Sequence, residues 1–243
     1  MNKYCTVLVP FGFLALLSAT VLASGQVTPG VTGAPYCGTH ESETTQTLGD
    51  GTHITRKSKQ HVCRDSQGRT RTEMFLVNGQ GEVSQNPMNI NIVDPVEHVQ
   101  YLLDVNRHWA HRIPQPPTPP VPQQTPPPLP IFIPPQPKQG PKMETKNEQL
   151  DSQVIEGLLV EGTRTTMTFP VGLDGNDRPI VTVNEVWFSR ELQTVVLIKR
   201  TDPRSGDTVD RLSGIDRSEP DPSIFRVPAD YTTEDASSPF VRR

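Results

Sequence analysis

Tight-turn signals divide most of this chain into short segments with strand-like alternation, and that limits what it can fold into. Gly49-Asp50-Gly51 separates Thr44–Leu48 from Thr52–Arg64, a strong hairpin signature. Asp65-Ser66-Gln67-Gly68 turns the chain into Arg69–Val77. In Met88–Ile92 the apolar residues Met88, Ile90 and Ile92 point one way, Asn89 and Asn91 the other. Asp94-Pro95 and Asp104–Arg107 then bracket His98–Leu103 and lead into His108–Ile113. Further on, Val154–Val160 and Thr163–Phe169 flank Glu161-Gly162, which reads as either one bulged strand or a hairpin. Ile180–Phe188, Gln193–Thr201 and Asp207–Arg217 form a meander. Asp221-Pro222-Ser223-Ile224-Phe225 reads as a helical turn with an N-cap and an N1 proline, Phe225 its apolar plug. About nine or ten antiparallel strands without long amphipathic helices predict a mainly β fold: a curved antiparallel sheet or open half-barrel.

One stretch cannot join a sheet. Fourteen of the 26 prolines lie between Ile113 and Lys142. Proline has no N–H to donate, and its fixed φ favours an extended polyproline conformation. The stretch is expected as a crossover, 114–147, between an N-terminal half of the sheet, 34–113, and a C-terminal half, 148–231. Residues 232–243 are expected as a disordered tail.

The N-terminus sets the compartment. Lys3 precedes the apolar run Val7–Val21, and Val21-Leu22-Ala23 offers a small-residue cleavage site. Met1–Ala23 therefore reads as a secretory signal peptide rather than a permanent membrane span. The mature chain is expected to be exported, to the periplasm or the extracellular space. A formal charge of −4 does not suit a nucleic-acid partner.

Of three cysteines, Cys5 leaves with the leader, so Cys37 and Cys63 meet an oxidising environment. They are equally far from Asp50, so the hairpin sets them directly opposite each other. Opposed strand residues lie about 5 Å apart, within disulfide range. A Cys37–Cys63 bridge is predicted. A one-residue slip in register would put the two on opposite faces.

Other constellations carry less. His108 and His111, and likewise His40 and His61, fall on opposite faces by strand parity, so neither pair suggests a metal site. Asp174-Gly175-Asn176-Asp177 lacks the ligand spacing of a calcium loop and reads as a polar turn. The sequence contains no G-x-S-x-G elbow, P-loop or dinucleotide fingerprint, no cofactor is implied, and the protein is expected not to be an enzyme. Glu156, Glu161 and Glu185 read as solvent-facing strand residues. Trp109, Trp187, Phe169 and Phe188 read as core or concave-face residues. Arg69 and Arg71 are candidates to contact an anionic ligand or lipid headgroup, or else belong to a ladder of ion pairs.

Several stretches together resemble uncharacterised exported bacterial proteins: Thr47–Ile54, Arg64–Glu73, Ile155-Glu156-Gly157, Glu161–Arg164 and Asp221–Tyr231. More distantly, the strand order and the phenylalanine-to-tyrosine end are similar to the outer-membrane lipoprotein-sorting family and its sensor relatives. That resemblance implies a half-open sheet over a hydrophobic concavity that holds acyl chains. The expected function is therefore non-enzymatic binding of a lipid or apolar moiety on a concave sheet face. The alternative is an envelope protein that docks a partner through sheet edges or the proline-rich segment.

Overall fold

The computed structural model describes residues 31–115 and 142–235. The expected leader Met1–Ala23 and residues 116–141 of the proline-rich crossover lie outside them. The strands are β1 (Tyr36–Thr47), β2 (His53–Arg64), β3 (Thr70–Phe75), β4 (Asn89–Asp94), β5 (Val99–Asp104), β6 (Trp109–Pro114), β7 (Glu144–Ile155), β8 (Leu158–Phe169), β9 (Ile180–Ser189), β10 (Thr194–Asp202), β11 (Gly206–Asp216) and β12 (Thr232–Asp235). They form one open, curved sheet of 12 strands in the order β12-β6-β5-β4-β3-β2-β1-β11-β10-β9-β8-β7. Each half is a meander, and β1 against β11 joins them. All pairs are antiparallel except β12 beside β6. A 3-10 turn at Pro222–Phe225 precedes β12.

Short polar side chains build the turns. The Asp50 carboxylate accepts the Thr52 amide at 2.9 Å, closing the first hairpin. Asp94 accepts the amides of Val96 and Glu97 at 2.8 and 2.9 Å, and Asp104 those of Asn106 and Arg107, both at 3.0 Å. Each of these turns ends in a histidine with positive φ, His98 (51°) and His108 (53°), a region histidine enters more readily than most residues. Ser189 and Gln193 (φ 48°) repeat the device between β9 and β10, with the Leu192 amide on the Ser189 hydroxyl at 3.2 Å.

Three segments differ from the sequence expectation. Glu161-Gly162 is not a turn: β8 runs through it, and the hairpin closes on Glu156-Gly157 (φ 51° and 74°), a pairing of positive φ values suited to tight hairpins. β7 begins at Glu144, earlier than the expected start of the C-terminal half. Thr232–Asp235, in the expected tail, hydrogen-bonds to β6.

Gly162 has a packing role instead. It lies directly opposite Trp187, and a Cβ built there would meet the indole at 2.5 Å. The ring thus covers the bare backbone of β8. Trp187, Val160, Leu158, Leu197, Leu212 and Tyr36 belong to one apolar cluster. Replacing Gly162 with valine is expected to displace the ring and cost about 1–3 kcal/mol, read by urea denaturation; an unchanged midpoint would contradict this packing.

The second cluster forms where the C-terminal segment crosses the N-terminal half. Phe225 is buried among Cys63, Ile90, Ile92, Leu103 and Ala110, flanked by Ile224, Val227 and Tyr231. Asp221 caps the 3-10 turn by accepting the Ser223 amide at 2.8 Å. Tyr231 stacks on His108 with centroids 5.1 Å apart, and the Thr232 amide donates to the His108 carbonyl at 2.8 Å. Apolar packing thus delivers a polar strand, Thr-Thr-Glu-Asp, to the sheet edge.

Candidate binding surfaces

Cys37 and Cys63 are disulfide-bonded, as the hairpin register predicts. They are direct cross-strand partners with Cα atoms 4.1 Å apart. That spacing belongs to the closely approaching class of antiparallel pair. On the same face of β2, His61 places Nε2 3.5 Å from Cys63 Sγ.

The two candidate anion contacts sit beside this bridge with partners from within the chain. Arg69 Nε donates to the buried carboxylate of Asp65 at 2.5 Å, and its guanidinium lies 5.2 Å from the Phe225 ring centroid. Arg71 donates to Glu73 at 2.8 Å and to the Ile224 carbonyl at 2.9 Å. Both arginines therefore fasten the C-terminal segment to the sheet.

Across seven strands, directly opposed residues form the row Glu148, Arg164, Glu185, Lys199, Val209, Glu43 and Lys57. Its charges alternate in sign on either side of Val209. Arg164 meets Glu185 at 2.6 Å and Lys57 meets Glu43 at 3.0 Å. Beside this row, Glu41 and Lys59 pair at 3.3 Å, and both pairs line a hollow of about 570 Å³ with Val77, Val83 and Val209. This hollow is a poor acyl-chain site, because Asp207 and Arg211 line it too, and filling it would desolvate six charged groups for three valines.

The polar turn at Asp174–Asp177 and two of the histidines have partners within the chain. Asp174 accepts from Arg204 at 3.0 Å, and the Asn176 side-chain amide donates to the carbonyls of Pro170 and Arg178. The carboxylates around Arg204 raise its guanidinium above the ordinary arginine range, and Arg204 in turn lowers Asp202. His40 pairs with Asp210 at 3.2 Å and His108 with Asp230 at 2.9 Å. His108 lies in the turn before β6 and His111 on β6. Buried Arg64 donates to the carbonyls of Ala34 and Leu192, and burial lowers its pKa. It ties the β9–β10 turn to the start of β1.

Among the described residues, an apolar surface on β7–β10 has no cover. Val154 lies opposite Leu159, Phe188 opposite Val195, and Val186 opposite Ile198. Val154 is 70% exposed, Leu159 65% and Phe188 38%. The alternate residues Leu158, Val160 and Trp187 are buried, so these strands carry apolar groups on both faces, and among the described residues only one face is covered. A surface strand that faces water normally alternates apolar with polar. Glu161 and Arg190 fork together at 2.6 and 2.8 Å beside Phe188, and the bond holds the Glu161 carboxyl below its usual range. On the far side, Val195 and Ile198 border a hollow of about 230 Å³ with His40 and Asp210. Sequence alternation alone assigned Phe188 to the core or the concave face and gave no sign of this strip.

No family model and no curated protein matches the chain. Among solved structures it is similar to an uncharacterised conserved protein from Thermus thermophilus, with 10% identity over 83% of this chain and 90% of that one, at a TM-score of 0.43. A LolA superfamily protein from Nitrosomonas europaea has 9% identity over 82% and 92% of the two chains, with a TM-score of 0.33. A putative outer membrane lipoprotein-sorting protein domain from Vibrio parahaemolyticus has 9% identity over 79% and 89%, with a TM-score of 0.28. The similarity to the lipoprotein-sorting group is thus distant.

Proposed function

We propose that this is an exported, non-enzymatic binding protein that takes a lipid acyl chain or similar apolar moiety on the β7–β10 strip. The observation that carries the reading is the exposure of Val154 and Leu159, direct cross-strand partners, and of Phe188 two residues along on the same face of the sheet. Isolated exposed apolar residues need no explanation, but contiguous ones mark interaction surfaces. Full burial of an exposed large apolar side chain is worth about 1.5–3 kcal/mol, and covering these partly exposed ones contributes a share of that each, enough together for a reversible complex. The Cys37–Cys63 bridge supports export, since disulfides persist outside the reducing cytoplasm. No helix among the described residues is long and apolar enough to cross a membrane.

Titration with a fluorescent C18 fatty acid tests this. Saturable binding is expected for the wild-type chain. The double variant Leu159→Asp/Phe188→Asp should lose at least about tenfold in affinity, since the two changes together remove contacts worth at least about 1.4 kcal/mol. Both positions are exposed, so the circular dichroism spectrum should not change. Equal binding by the two proteins would refute the site.

A second reading rests on β7, whose outer edge has no neighbouring strand among the described residues. A partner strand could add there. The register shift between Leu150 and Gln153, and the charges of Lys146 and Glu148, are features that blunt an edge, so the apolar strip is preferred.

A further inference from the structure

Cys37, His61 and Cys63 each offer a donor atom, and these atoms lie within 4.8 Å of one another. Their placement follows from the ladder. Cys63 and His61 alternate on one face of β2, and Cys37 faces Cys63 from β1. We infer that opening the Cys37–Cys63 bridge creates a Zn(II) site with two thiolate ligands and one imidazole. The chemistry of the donor set favours this cation. Two thiolates and a neutral histidine balance its charge, and such a set leaves a fourth position for water. The neighbouring row does not disturb that balance, because Arg71 and Glu73, opposite Cys63 and His61, neutralise each other at 2.7 Å.

The bridge can open from one side. Cys37 is half-buried, whereas Cys63 is buried under the C-terminal segment. The thiolate of an external dithiol attacks Cys37 Sγ, and the S–S bond breaks with its electron pair leaving on Cys63 Sγ. His61 Nε2 is placed to stabilise that thiolate. The second thiol of the reductant displaces Cys37 and departs as a cyclic disulfide, so the protein gains two electrons and two protons. Zn(II) binding then releases both thiol protons to solvent. The oxidised chain holds no such site, since both sulfurs are spent on each other.

The test uses the full mature chain, reduced by dithiothreitol and freed of it without air. Zn(II) is titrated against a chromophoric chelator. One equivalent should bind to the reduced chain, with none above background to the oxidised chain or to Cys37→Ser/Cys63→Ser. His61→Ala should weaken binding at least tenfold. Reduced wild-type protein that binds no better than the double serine variant would overturn the inference, as would an unaffected His61→Ala. Should reduction loosen the fold, one equivalent of Zn(II) must still raise the thermal midpoint of the reduced chain and leave that of the serine variant unchanged. An unchanged midpoint in both would equally sink it.

Discussion

Replacing Phe225 with alanine is expected to lower the unfolding free energy by about 3–5 kcal/mol, the usual range for a buried phenylalanine. The ring is 3% exposed and fills the space above Ile90, Ile92, Leu103 and Ala110. It also lies under the Arg69 guanidinium, whose Asp65 partner is fully buried. The cavity cannot collapse easily, because the groups beneath it belong to a hydrogen-bonded sheet. The same change should loosen β12, which reaches β6 only through this segment. Urea denaturation gives the energy, and amide exchange at Thr232–Asp235 gives the loosening. A loss under about 1 kcal/mol would mean that the segment rests on the sheet without plugging it.

Removing the disulfide has a comparable effect through a different route. Cys37→Ser/Cys63→Ser should cost about 3 kcal/mol, the value for closing a loop of this length in the unfolded chain. The cysteines are separated by 26 residues along the sequence. Because the bridge acts mainly on the unfolded ensemble, the denaturant slope should rise along with the fall in midpoint. A midpoint unchanged within error would show that the hairpin is held by its ladder alone.

The register of the first hairpin was legible because a glycine-flanked aspartate fixes the turn, and a fixed turn fixes every pair beyond it. The same logic failed at β7–β8. Two glycines compete there, and the one that turns, Gly157, works with Glu156 at positive φ, a conformation that glutamate gives no hint of. The start of β7 was hidden because Glu-Thr-Lys-Asn-Glu-Gln faces solvent on both sides and carries no apolar period. β12 was hidden for a similar reason: its pairing is made by backbone groups, and its delivery depends on Phe225 and Tyr231 upstream. The junction of β1 with β11 joins segments far apart in sequence and leaves no local trace. The strip was not legible: Leu159 and Phe188 stand in contiguous apolar runs, Leu158-Leu159-Val160 and Trp187-Phe188, whose two faces the sequence does not tell apart. Which of the two apolar faces is covered depends on tertiary packing.

Native mass spectrometry of the full chain, purified gently from the exported fraction, tests the binding reading most directly. The wild-type protein should carry an added mass that corresponds to a lipid and disappears on collisional activation. The Leu159→Asp/Phe188→Asp variant, prepared alongside, should fly as the bare chain. Bare protein in both preparations, or the same lipid retained by the variant, would contradict the assignment of the β7–β10 strip as the binding surface.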